Sequence, residues 1–395
     1  MIYIFGALAL IFISNSAALW ATFGLPIKNF VDISLLCGVL HQGPNECLEG
    51  ALNVAYVMLC GTILSTCFIW LWSRCDSIKS EFQLNSDNEE LLLSMLFIVF
   101  VLQIVQIYLS SIEIEHISRI KEISESSTVI SLANLLWPLL LQLSNSSKKF
   151  FYRYSYFLLL LLVASFSPFR GVILAIAIFG IIIPGMSAIY NNRQNSMSRA
   201  NGLKLLLGVL VVGTLIFSVY SETAQRATNI DRRASSGSSV LTDKVVQRLS
   251  YPLFQAYLAE QLSKIRLELP SIGDSVLNKF RLADSSNLNQ YLYSEIYGRG
   301  SVGETTSLYY GEAVSNSDTF PLVWITLGPV FLYLIFLASR KLEMDSSTLV
   351  GIAIWRGSLG GVIEVLPALL IQIALLFVLI KMNKYILKRF PVSNI

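Results

Sequence analysis

The 395-residue chain is 54% hydrophobic and only 14% charged, whereas about a quarter of the residues of an ordinary soluble domain carry charge; that balance excludes a soluble globular fold and points to a polytopic membrane protein. A formal net charge of +3 is no argument for nucleic acid, because an excess of Lys and Arg in cytoplasmic loops produces the same surplus. With His41 and His116 the only histidines, and no CxxC among five cysteines, the chain offers no zinc constellation.

In chain order, apolar stretches of spanning character fall at 2–23, 51–73, 91–110, 128–144, 155–167, 169–190, 203–220 and 320–338, and a composite one covers 349–380. The first lacks a basic leader region and is long enough to span, so it reads as a membrane helix and not a signal peptide. Between the first two, Cys37 and Cys47 share a short loop, as a disulfide or as two free thiols. The fifth and sixth stretches are separated by Ser167-Pro168-Phe169-Arg170-Gly171, a tight turn. The last stretch would be about 48 Å long as one helix, too long for one span and short for two. Trp355 to Gly361, or Glu364 to Pro367, turns it into a short or re-entrant hairpin.

The expected architecture is therefore an all-α polytopic membrane protein of about ten spans. Residues 1–220 form a first bundle of about seven helices, 221–319 a large polar loop, and 320–395 the C-terminal spans. Orientation follows from the basic loops. Arg74, Lys79, Lys148, Lys149, Arg153, Arg193, Arg199, Lys204, Arg340, Lys341 and the basic residues from Lys381 to Arg389 fall on one side. The opposite short loops hold Lys28, Arg119, Lys121 and Arg170. Both termini are then cytoplasmic and 221–319 faces outward.

Inside that polar segment, Leu241, Val245, Leu249, Leu253 and Tyr257 recur every four residues, the mark of one face of an amphipathic helix. This helix is expected to lie on the membrane or cap the bundle, kinked at Pro252. The segment is rich in Ser, Asn, Tyr and Arg, which suits hydroxyl groups and sugar faces better than nucleic acid. Gly298-Arg299-Gly300-Ser301-Val302-Gly303 matches G-x-G-x-x-G by letter, but no predicted strand or βαβ unit surrounds it, so it reads as a flexible outer turn or as a backbone nest for a phosphate.

Charges at membrane depth are the stronger functional signal, because an unpaired one there costs several kcal/mol. Arg170, Arg356 and Glu364 qualify. Arg356 reads either as a partner for carbonyls at the glycine turn or as a functional charge, and Glu364 either as an interfacial residue or as a functional one. Arg232, Arg233, Arg248 and Arg299 add guanidinium groups suited to phosphate, with Tyr251 a further candidate contact for substrate. Glu304 and Glu312, on the approach to the eighth span, are carboxylates able to take a proton from a sugar hydroxyl if burial raises their pKa.

The layout resembles the O-antigen polymerase (Wzy-type) family, whose members have about ten or more spans and one large periplasmic loop late in the chain. Ser165-Phe166-Ser167-Pro168-Phe169-Arg170-Gly171 resembles the family's Ser/Arg/Gly turn. The approach from Gly311-Glu312 to Leu327-Gly328 resembles its acidic entry into an apolar helix. The resemblance implies a GT-C-like bundle in the bacterial inner membrane that joins undecaprenyl-diphosphate-linked oligosaccharide repeats on the periplasmic face. It implies arginines (Arg170, Arg356) on the leaving diphosphate, carboxylates (Glu304, Glu312) beside the attacking hydroxyl, no nucleotide or metal cofactor, and a chain-length regulator as partner. O-antigen ligases are similar in layout but carry a functional His in the large loop, and 221–319 holds none. A flippase of the same lipid-linked sugars would show repeated spans, and no repeat is evident.

Overall fold

The computed structural model describes residues 1–24, 31–75, 86–111, 128–147, 156, 160, 170–186, 240–265, 288–298, 307–316, 320–342 and 344–389. Every element among the described residues is helical. In chain order these are α1 (Ile2–Gly24), α2 (Val31–Val39), α3 (Pro44–Cys75), α4 (Ser86–Ser111), α5 (Thr128–Ser146) and α6 (Arg170–Ala177), the last continuing into a π-helical turn (Ile178–Ile182). They are followed by α7 (Val240–Ile265), α8 (Leu288–Tyr297), α9 (Leu308–Asn316), α10 (Pro321–Lys341), α11 (Ser347–Gly360) and α12 (Val362–Arg389).

Four of them contain stretches long and apolar enough to cross a membrane: Ile2–Phe23, Pro44–Arg74, Pro321–Lys341 and Val362–Asn383. Large apolar side chains on their outer faces are exposed, among them Phe68, Leu71 and Trp72 of α3 and Phe331 of α10. Such a surface would drive aggregation in water and is stable in lipid. The chain is an α-helical membrane protein.

Small residues bring the helices together where lipid supplies no hydrophobic drive. Gly61 of α3 lies against Ile325 of α10, and Gly351 of α11 against the Tyr3 carbonyl of α1. Prolines inside the helices open places for cross-links. Pro329 offers no N–H to the Ile325 carbonyl, and in that turn Ser65 of α3 donates to the Thr326 carbonyl at 2.9 Å. Near Pro138 of α5, Gln372 of α12 donates to the Leu135 carbonyl at 3.0 Å. At the π turn, Asn145 donates to the Phe179 carbonyl at 3.1 Å.

Two expectations from the sequence meet the structure here. The composite stretch 349–380 is broken, as its glycines foretell: α11 ends at Gly360, Gly361 takes φ +111°, and α12 starts at Val362. The second candidate break, Glu364 to Pro367, is helical throughout.

The helix of the polar segment departs from expectation. The departure is in its burial: α7 is one helix that includes Pro252, and all seven residues from Leu253 to Ala259 are buried. Seven residues are about two full turns, so every side of this length is enclosed, and it does not rest on the bundle by one face. The reason is the opposite side of the helix, where Ala256 and Ala259 are small enough for close neighbours. α7 packs on α1, α2, α3 and α9, with the Tyr257 ring against Gly50 of α3 and the Tyr257 hydroxyl donating to Gln42 at 3.1 Å. Cys37 and Cys47 are buried free thiols, and Cys47 donates to Gln42 Oε1 at 3.8 Å.

Candidate functional site

The break between α11 and α12 leaves the first amides of α12 without intrahelical partners. Gly361, at the cap position, has no side chain to satisfy them. The missing acceptor comes from another element: the Glu312 carboxylate of α9 accepts the Val362 N–H on Oε2 and the Ile363 N–H on Oε1, the second at 2.9 Å. Glu312 is only 8% exposed. Burial pushes its pKa up to about 7, against the opposing pull of the two amides, and Glu364 adds to the rise. The Trp324 indole N–H also faces this carboxylate, outside strict hydrogen-bond geometry.

Glu364 sits in the first turn of α12, where a negative charge suits the helix dipole. Its Oε1 accepts from Asn289 Nδ2 of α8 at 3.1 Å. Asn289 is itself buried, and its Oδ1 accepts both the Ser307 backbone N–H at 3.2 Å and the Ser307 hydroxyl at 2.8 Å. This pins the turn into α9, which opens on Leu308 at φ +59°, a conformation that costs a non-glycine residue about 1–3 kcal/mol.

Arg356 lies in the last turns of α11, five residues before Gly361. Its side chain is solvent-accessible yet closely surrounded by protein, as a side chain lining a crevice is. The guanidinium carbon stands 5.8 Å from the centroid of the Trp137 ring of α5, a cation–π distance. Glu364 is the charged group that acts on it. Among the described residues it makes no hydrogen bond, and its side chain is accessible. Between Arg356 and the break, the fully enclosed Tyr309 ring fits against Gly357 and donates from its hydroxyl to the Ile354 carbonyl at 3.1 Å.

No family model, curated protein or solved structure matches this chain. The site therefore has to be read from its own chemistry.

Of the residues singled out from sequence, Arg356, Glu364 and Glu312 gather at this break. Tyr251 is elsewhere on α7, with its hydroxyl 3.1 Å from that of Tyr297 at the end of α8. Arg170 begins α6 and Arg248 lies on α7, with their side chains outside the described residues; Arg232, Arg233, Arg299 and Glu304 lie wholly outside them. Gly298 ends α8 with φ +97°, and the rest of its glycine motif is also outside. Asn289, Tyr309 and Trp137 were not legible as site residues. Only the Tyr-rich, glycine-bearing run before the eighth span hinted at Tyr309.

Proposed function

We propose that the chain is a membrane-embedded glycosyltransferase of the O-antigen polymerase type, joining undecaprenyl-diphosphate-linked oligosaccharide units on the periplasmic face of the bacterial inner membrane. In this reading about ten helices span the membrane in a GT-C-like bundle, both termini are cytoplasmic, and 221–319 is periplasmic. The observation that carries it is Arg356, a guanidinium open to a crevice inside an apolar bundle, with no hydrogen bond to hold it there among the described residues, beside a helix break. A charge kept at such depth implies a charged ligand, and a guanidinium fork suits a phosphate.

The reaction would run as a displacement at the anomeric carbon. A hydroxyl oxygen of the incoming unit forms a bond to that carbon, the bond from carbon to the diphosphate oxygen breaks, and the diphosphate leaves with the electron pair. Arg356 stabilises the charge that develops on the leaving oxygen. The hydroxyl proton passes to a carboxylate, Glu312 or Glu304 as the sequence suggests or Glu364, whose partial burial and electrostatic link to Arg356 support it as a further candidate. Arg170, Arg232, Arg233, Arg248 and Arg299 remain candidate contacts for the rest of the diphosphate and Tyr251 for the sugar, and a chain-length regulator remains the proposed partner.

Deletion of the gene with complementation tests the reading. A strain lacking the protein should cap its lipid A-core with a single repeat. An unchanged polysaccharide ladder would sink the proposal, and complete loss of attached repeat would favour a ligase or flippase.

A further inference from the structure

We infer that Glu312 is a positioning residue: its carboxylate, lent by α9, is the cap that α12 lacks, and it fixes the separation of Arg356 from Glu364 across Gly361. Both of its oxygens accept backbone amides, which commits the carboxylate to holding the start of α12. Gly361 leaves the space: a Cβ there would run into the Glu312 carboxylate. The start of α12, which lies between the two charges, is thus held by a side chain from outside both helices.

The same contact ties the site to the rest of the polar segment. Two residues before Glu312, the Tyr310 hydroxyl donates to Glu260 of α7 at 2.7 Å, and Glu260 also pairs with Lys264 at 2.7 Å. Asn289 makes a second link, from α8 to Glu364. Movement of α8 would reach Glu364 through Asn289, and movement of α7 would reach the start of α12 through Tyr310 and Glu312. The segment is in this sense part of the site's frame and not a separate domain.

The test uses the full chain in lipid nanodiscs, with amide hydrogen exchange of peptides covering 361–366, alongside polymer formation in cells; only the polymer readout rests on the function proposed above. In Glu312→Ala the Val362 and Ile363 amides should exchange about tenfold faster or more, α1 and α3 should be unchanged, and polymer should be lost. Glu312→Gln keeps one acceptor oxygen, so its exchange should be intermediate and polymer retained, at shorter length. Wild-type exchange in Glu312→Ala overturns the inference. Wild-type exchange in Glu312→Gln together with complete loss of polymer also overturns it, because that pattern belongs to a proton acceptor. If Glu312→Ala does not accumulate, Glu312→Gln decides by the same comparison. Faster exchange in Glu312→Ala, with full polymer in Arg356→Ala, would keep the positioning role and remove the proposed function.

Discussion

The Glu312 carboxylate accepts the Ile363 backbone N–H at 2.9 Å across 51 residues of sequence, and through it a helix of the polar segment holds the start of a membrane-spanning helix. The Val362 amide completes the pair. The consequences of this contact can be measured separately from any activity.

The first is pH dependence. The ordinary carboxyl value for Glu312 is 4.5, and in the folded protein it is pushed up to about 7, chiefly by burial. Its ionised form is therefore the disfavoured one in the folded state, so docking of α9 on α12 is strongest at low pH and weakens as pH rises from about 4.5 through about 7. Glu364 is the other titratable group acting on it. Hydrogen exchange at 361–366, corrected for the intrinsic rate, should show the weakening in the wild type and none in Glu312→Gln.

Gly361 takes φ +111° and has Glu312 in the place of any Cβ. Gly361→Ala should cost on the order of 1–3 kcal/mol from the backbone alone, and more from displacement of the carboxylate. Thermal unfolding in detergent should read this as a lowered Tm, with polymer lost as well. A wild-type Tm would mean that the α11–α12 break is not held in this conformation.

Much of this region was legible in the sequence and some was not. The four long apolar helices and the interruption of 349–380 follow from length and glycine content. Gly361 won over Pro367 because Pro367 is only the sixth residue of α12, and such a proline is tolerated when neighbouring groups satisfy the freed carbonyl. The enclosure of α7 was illegible because a four-residue apolar rhythm marks one face, while burial of Gln255, Ala256 and Ala259 depends on α1, α2, α3 and α9 closing around them. Glu312 looked like a surface or catalytic carboxylate, since nothing in its local spacing announces the backbone N–H donors about fifty residues later. Arg356 stood out in the sequence because a charge inside an apolar run is a local signal.

At the other end of α11, Gln142 of α5 plays the role that Glu312 plays for α12. Its Oε1 accepts from the Thr348 N–H at 2.8 Å and from the Leu349 N–H at 3.3 Å. Gln142→Ala should cost about 0.5–2 kcal/mol, the usual range for a lost cap. The variant should unfold at lower temperature while its polymer keeps wild-type length, because the loss lies away from Arg356 and the break.

Tyr309 is fully enclosed, and its hydroxyl donates to the Ile354 carbonyl. Tyr309→Phe removes one hydrogen bond at constant shape and should cost about 1 kcal/mol. Gly357→Val is the harsher change, because the Tyr309 ring occupies the space beside Gly357. It should displace α9 and speed exchange at 361–366, which the Phe variant should leave nearly unchanged.

Arg356 carries the central claim, and the polysaccharide ladder of a deletion strain complemented with Arg356→Ala or Arg356→Lys, at matched protein levels, tests it most directly. Arg356→Ala should leave lipid A-core capped by a single repeat, and Arg356→Lys, which keeps the charge but loses the fork, should give a weak or shortened ladder. A full-length ladder from Arg356→Ala would contradict the assignment of this crevice to a diphosphate.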